Sequence, residues 1–186
     1  KKAVDIFISK NIPFALMHTT NIYPTPNALI RLGAIKDLQE AFPEIAIGLS
    51  DHSITNHACF GAVALGASIL ERHFTDNMDR IGPDIICSMD PLAAKELLEG
   101  SKIIFEQRGG KKEAIIEEQI TMDFAFSSIV TIKHIKKGDI FNEENIWVKR
   151  PGTGEIKAES FKNILGKKSL VELQPDIHLN WSDVEK

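Results

Sequence analysis

The chain has 186 residues, 43% hydrophobic and 26% charged, which fits one globular domain or two small ones and excludes fibrous and disordered classes. A net charge of −4 argues against a general nucleic-acid surface, which needs clustered positive charge; the pairs Lys111-Lys112 and Lys167-Lys168 are too short to supply one. Two cysteines without framework spacing, no apolar run of the ~20 residues that span a bilayer and no signal peptide exclude a disulfide scaffold and a membrane partner, and make the cytoplasm the expected location.

Lys1 to Lys10 reads as a helix already under way, with no initiator Met, so the chain is expected to begin in the middle of a domain. Phe14 to Thr20 is a short buried strand. A loop braced by Pro24 and Pro26 follows, each proline fixing φ and disfavouring helix before it. Across Ala28 to Phe42, the apolar positions Leu29, Leu32, Ile35, Leu38 and Phe42 mark one face of an amphipathic helix. Ile45 to Ser50 is nearly continuously apolar, as in a parallel strand covered on both faces. A small-residue helix from Asn56 to Leu65 leads to a third strand, Ser68 to Phe74. After a long loop, Asp90-Pro91 is a strong helix start, and that helix runs to about Arg108.

Residues 1–108 thus read as a helix followed by three strand–loop–helix units. The three strands should be parallel with right-handed crossovers. Three strands cannot close a barrel, so the expected fold is α/β, the C-terminal part of a (β/α)8 TIM barrel, in which chemistry sits at the C-terminal ends of the strands. Residues 109–122 read as a linker. From residue 123 the character changes to a small β-rich module with strands at 126–132 and 145–149 and a short helix at 160–165. Within it, Ile135 to Ile146 is echoed by Leu173 to Val184 at an offset of 38.

Two strand ends carry imidazoles: Ser50-Asp51-His52 and Glu71-Arg72-His73. Alternation along a strand puts Ser50 with His52 on one face and Glu71 with His73 on the other strand's matching face. If those faces point into a barrel mouth, the imidazoles converge as ligands for a first-row metal ion with positions left open to polarise a carbonyl. The alternative is that each His hydrogen-bonds locally. His18 reads as a packed or hydrogen-bonded strand residue, His57 as polar capping, and His134 and His178 as solvated turn residues. Asn21 and Tyr23 occupy the proline-braced loop, as ligand sites require, or serve turn and packing. Asp84 lies in the long loop above the third strand, and Arg150 precedes Pro151-Gly152 as a rigidly placed guanidinium. No Walker loop, GxGxxG, GxSxG or CxxC is present.

Six stretches, TTNIYPTP (19–26), GLSDHS (48–53), GAVALGASILERHFT (61–75), GPDIICSMDP (82–91), RGGKK (108–112) and VKRPGTG (148–154), together resemble the bacterial sialic acid synthases of the NeuB family. That resemblance implies a TIM barrel followed by an antifreeze-like SAF domain of β-clip type. It implies condensation of phosphoenolpyruvate with N-acetylmannosamine: C3 attacks the open-chain aldehyde, water adds at C2, and phosphate leaves with C–O cleavage. His52 and His73 match the two histidines that hold the divalent ion, usually Mn2+, with Mg2+ or Co2+ as alternatives, and count as both metal ligands and catalytic residues. Asn21, Tyr23, Ser50 and Asp84 match substrate-lining positions. Arg150 and Phe124 match residues that reach a partner's barrel, which implies a domain-swapped homodimer. The second turn reads Gln174-Pro175-Asp176 where the family has Lys/Arg-Lys-Gly; Asp tolerates such turns, so little effect is expected. The family's phosphate-binding and acid/base residues lie largely in the other half of the barrel, so the segment alone is expected not to condense the substrates. Within the class, the rival substrate is a diacetylated bacillosamine-derived sugar leading to a legionaminate. A non-catalytic carbohydrate- or ice-binding module is the alternative of another class; its regular Thr array is missing, and it leaves the histidine pair without a purpose.

Overall fold

Proline, glycine and capping residues set the element boundaries seen in a computed structural model, which describes residues 2–186. The chain divides into two compact units, through residue 111 and from residue 112 onward. The first unit contains α1 (Lys2–Ser9), β1 (Ala15–Thr19), α2 (Gly33–Ala41), β2 (Ala46–Asp51), α3 (His57–Ala64), β3 (Ile69–Arg72) and α4 (Pro91–Gln107). The helix expected from Ala28 starts later: Asn27–Leu29 is a single 3-10 turn, and Arg31 takes the left-handed region at φ 53° before α2 begins. Asp90 caps α4 by accepting from Ala93 N at 2.8 Å, with Pro91 at the first helical position.

The three strands form a parallel sheet in the order β1-β2-β3, with Thr19 beside Ser50 and Ser50 beside Glu71. Ile47 and Leu49 of β2 pack with Ile35 of α2, Ala58, Cys59 and Ala62 of α3 and Leu97 of α4. Small residues allow this closeness. A Cβ at Gly100 of α4 would lie 2.6 Å from the Phe60 ring of α3, so glycine there accommodates the aromatic side chain at its usual helical cost of about 1 kcal/mol. Among the described residues, helices cover one face of this sheet. The alternate positions include Ile69 and Glu71, which are exposed, because among the described residues nothing packs over that side.

The second unit contains α5 (Gln119–Ala125), β4 (Ser128–Thr131), β5 (Ile146–Lys149) and α6 (Phe161–Ile164), with β4 and β5 antiparallel. Short elements form within the stretch expected as a linker, 109–122, which also contains the boundary between the two units. Ile116–Glu118 is a 3-10 turn and α5 starts at Gln119, because the Glu118 carboxylate accepts from Ile115 N at 3.2 Å and caps the turn. Residues 170–173 form no strand, only an isolated bridge from Leu173 to Ile135.

The offset-38 echo is structural. Ile135 and Leu173 exchange two backbone hydrogen bonds of 2.9 Å. Gly138 and Asp176 both adopt positive φ, 91° and 60°. Asn142 N is capped by Asn145 Oδ1 and Asn180 N by Asp183 Oδ2, each at 2.9 Å. The equivalent apolar pairs Phe141/Leu179 and Ile146/Val184 are buried in one core with Ile129, Ile156 and Ile164.

Candidate functional site

β2 and β3 end level with one another, so the residue after each, His52 and His73, projects from the same edge of the sheet. Their ring centroids are 5.3 Å apart and nearly perpendicular, at 78°. Tyr23 lies over both: its ring is stacked 4.0 Å from that of His52 and tilted 5.6 Å from that of His73. The loop that carries Tyr23 is tied to the strand end, since Thr25 N donates to His52 O at 2.9 Å and Thr25 Oγ1 donates to Ile22 O at 2.6 Å.

His52 is buried. Its Nδ1 lies 2.9 Å from Thr20 O, and a carbonyl only accepts, so Nδ1 donates there and Nε2 is the nitrogen left to act as a ligand in the neutral ring. An imidazole held through one nitrogen and free at the other is how metal-ligating histidines are oriented. The His73 side chain is 30% exposed, and its Nδ1 faces Asp84 Oδ2 at 3.7 Å, too far for a hydrogen bond but within ion-pair reach. The donor set therefore fits a divalent ion: two imidazoles with a carboxylate nearby and an open side.

Of the expected site residues, the structure gathers Tyr23, His52, His73 and Asp84. Ser50 lies on the same sheet face as His52, one alternation back and half-buried, while Asn21 is exposed in the Tyr23 loop. Phe124 and Arg150 belong to the second unit, both exposed. There the 150–154 turn packs on the end of α5, with Gly152 N donating to Asp123 O at 2.8 Å. His18 is a buried strand residue with Nε2 2.7 Å from Ile30 O, and His57, exposed, opens α3 with Nδ1 2.7 Å from Thr55 Oγ1. His134 pairs with Glu172 at 2.8 Å, and His178 is half-buried rather than solvated, because it bridges Val130.

Sequence reasoning missed the layer beneath the imidazoles. Asp51 and Arg72, the residues before each histidine, form an ion pair at 3.3 Å with both side chains 1% exposed. Arg72 Nη1 also donates to Asn56 Oδ1 at 2.5 Å and Nη2 to Ser53 O at 2.6 Å, while Asp51 accepts from Ser53 N at 3.0 Å and Ser53 Oγ at 2.8 Å. Asn56 Nδ2 reaches Ala93 O at 2.8 Å and Glu96 Oε2 at 2.7 Å. The ends of β2 and β3, the start of α3 and α4 are thus joined by one polar network. The signal was available: an acidic and a basic residue at the helix-facing positions of two adjacent strands must pair if buried. Burial, first, and Asp51 push the Cys59 thiol up to about 12; burial and then Asp84 raise that of Cys87.

The apolar groove lined by Val63, Leu70, Leu97 and Phe105 lies on the helix side of the sheet, away from the imidazoles, and brings no ligand set together. No helix among the described residues is long and apolar enough to cross a membrane.

Comparison with known proteins gives two family matches: the NeuB family over residues 1–113 and the SAF domain over residues 126–185. The N,N'-diacetyllegionaminic acid synthase of Campylobacter jejuni is 38% identical over 86% of this chain and 47% of its own length. The solved N-acetylneuraminic acid (sialic acid) synthetase of Leptospira borgpetersenii, in complex with citrate, is 35% identical with a TM-score of 0.60, over 65% of this chain and 42% of that one. The solved spore coat polysaccharide biosynthesis protein spsE of Bacillus subtilis is 30% identical with a TM-score of 0.54, over 100% of this chain and 57% of that one. The chain spans about half the length of the curated relatives it matches.

Proposed function

For a chain that belongs to the NeuB family and carries a SAF domain after its barrel part, we propose the condensation of phosphoenolpyruvate with an N-acetylated amino-sugar aldehyde, releasing phosphate. The observation that carries this reading is the pair of imidazoles 5.3 Å apart at the C-terminal edge of a parallel sheet, with His52 held by Thr20 O so that Nε2 is free. His52 and His73 would hold the cation, Mn2+ in the first instance. When bound there, a divalent cation supplies Lewis-acid polarisation of the sugar's carbonyl. The chain's own groups do the rest of the placing. The Tyr23 ring closes one side over both imidazoles, and the Asp84 carboxylate, 51% exposed, faces the open side, where sugar hydroxyls can donate to it. Ser50 and Asn21 extend the polar lining. Arg150 and Phe124 act from a second copy of the chain, and the enzyme works in the cytoplasm.

Two sugars fit the relatives' names. The neuraminic acid synthetase, 35% identical, favours N-acetylmannosamine; the diacetyllegionaminic acid synthase, 38% identical, favours a diacetamido sugar. Product formation by the intact protein from phosphoenolpyruvate and each sugar, with Mn2+ and with a chelator, separates them. His52→Ala and His73→Ala are expected to lose bound Mn2+ and at least about 100-fold in rate, the scale set by loss of one transition-state electrostatic contact. Unchanged metal content and rate in both variants would sink the reading.

A further inference from the structure

The loop returning from β3 to α4 carries a second donor set, which shares His73 and Asp84 with the condensation reading and adds Cys87, a residue that reading does not use. His73, Asp84 and Cys87 each offer one ligand atom, and these atoms lie within 4.8 Å of one another. Donors 2.0–2.3 Å from a tetrahedral zinc ion stand ~3.3–3.8 Å apart, so the three need to close by about an ångström. Their backbone is already tied together. Cys87 Sγ and Ser88 Oγ both donate to Asp84 O, at 3.3 and 2.8 Å, and Met89 N donates to His73 O at 2.8 Å. Cys87 is buried, while the His73 and Asp84 side chains are 30% and 51% exposed, so a cation enters from their side. The positive charge of Arg72, with Nη2 3.5 Å from Cys87 O, is offset by Asp51. The thiolate distinguishes this set from the His52/His73 pair: sulfur beside imidazole and carboxylate suits zinc-class ions over the harder Mg2+ and Mn2+.

We propose that His73, Asp84 and Cys87 form a three-donor site for a zinc-class cation, with the remaining position left to water. A bound cation replaces the thiol proton, which leaves to solvent. The site shares His73 with the His52/His73 pair, so Zn2+ here removes a ligand from the other ion and inhibits. That last consequence alone rests on the condensation reading.

Co2+ serves as the spectroscopic probe. The intact protein titrated with Co2+ is expected to show a thiolate-to-cobalt charge-transfer band in the near-ultraviolet, displaced by Zn2+ and missing in Cys87→Ser. Zn2+ affinity, measured by competition with a chromophoric chelator, should fall by about 100-fold or more in Cys87→Ser and by about 10-fold or more in Asp84→Asn, at least the loss seen when an outer-sphere partner is removed. It should not change in His52→Ala. Asp84 is on the surface, so Asp84→Asn tests the site even if Cys87→Ser fails to fold. A cobalt spectrum without the thiolate band, or equal Zn2+ affinity in wild type and Asp84→Asn, overturns the proposal. A thiolate band in a protein that condenses neither sugar supports the zinc site while sinking the condensation reading. Activity without the band does the reverse.

Discussion

The strand ends that carry the imidazoles are fixed by a buried ion pair. Asp51 and Arg72 precede His52 and His73, so the ligands follow directly on the residues that fix the strand ends. Breaking a buried pair leaves one charge uncompensated, so Arg72→Ala should cost about 3–5 kcal/mol in urea unfolding, well beyond a surface substitution. Ser-Asp-His and Glu-Arg-His made the histidines legible in the sequence, but the pairing of the residues before them needed the strands to be set side by side. Cys59 gives a pH signature. Its folded thiol is raised from 9.0 to about 12, chiefly by burial. The protonated thiol therefore contributes its full stability below pH 9, and that contribution fades as pH climbs through the folded value. Unfolding free energy should decline by up to about 4 kcal/mol across that window in the wild type. Cys59→Ala should lack this part of the slope, as measured by denaturation at fixed pH steps.

At the scale of elements, the geometry of the site depends on the spacing of β2 and β3. A Cβ at Gly48 would sit 2.6 Å from Ile69 O and 2.9 Å from Ile69 Cβ, inside backbone that cannot give way. Gly48→Ala should push β3 away from β2, cost about 1–3 kcal/mol as overpacking does, and weaken Mn2+ binding by moving His73 from His52. Equal Mn2+ affinity in a correctly folded variant would separate strand spacing from the site. Strand and helix order in the first unit was legible because apolar runs alternate with helical periodicity and Asp90-Pro91 marks a start. The ends of elements were less so. Arg31 takes a left-handed conformation that its side chain gives no reason to expect, which delays α2, and Glu118 caps a turn inside what reads as a linker.

At the scale of the whole molecule, each unit has its own core, and the second repeats a turn motif at an offset of 38 that positive φ at Gly138 and Asp176 makes real. The dimer proposal is tested by mixing. If Arg150 serves the partner's site, His52→Ala mixed and re-equilibrated with Arg150→Ala should restore about a quarter of the wild-type rate, because half the dimers then carry one intact site. Arg150 acting in its own subunit gives no recovery. The sequence by itself determined the parallel order of the strands, the placing of two histidines after adjacent strand ends, and the repeated turn, because periodicity and turn chemistry are local and written residue by residue. Tertiary structure alone decided that Tyr23 stacks on His52, that Thr20 O fixes its proton, that Asp51 and Arg72 pair beneath, and that Cys87 comes beside His73. Those contacts join residues far apart in the chain, and only the folded sheet and its returning loops bring them within reach.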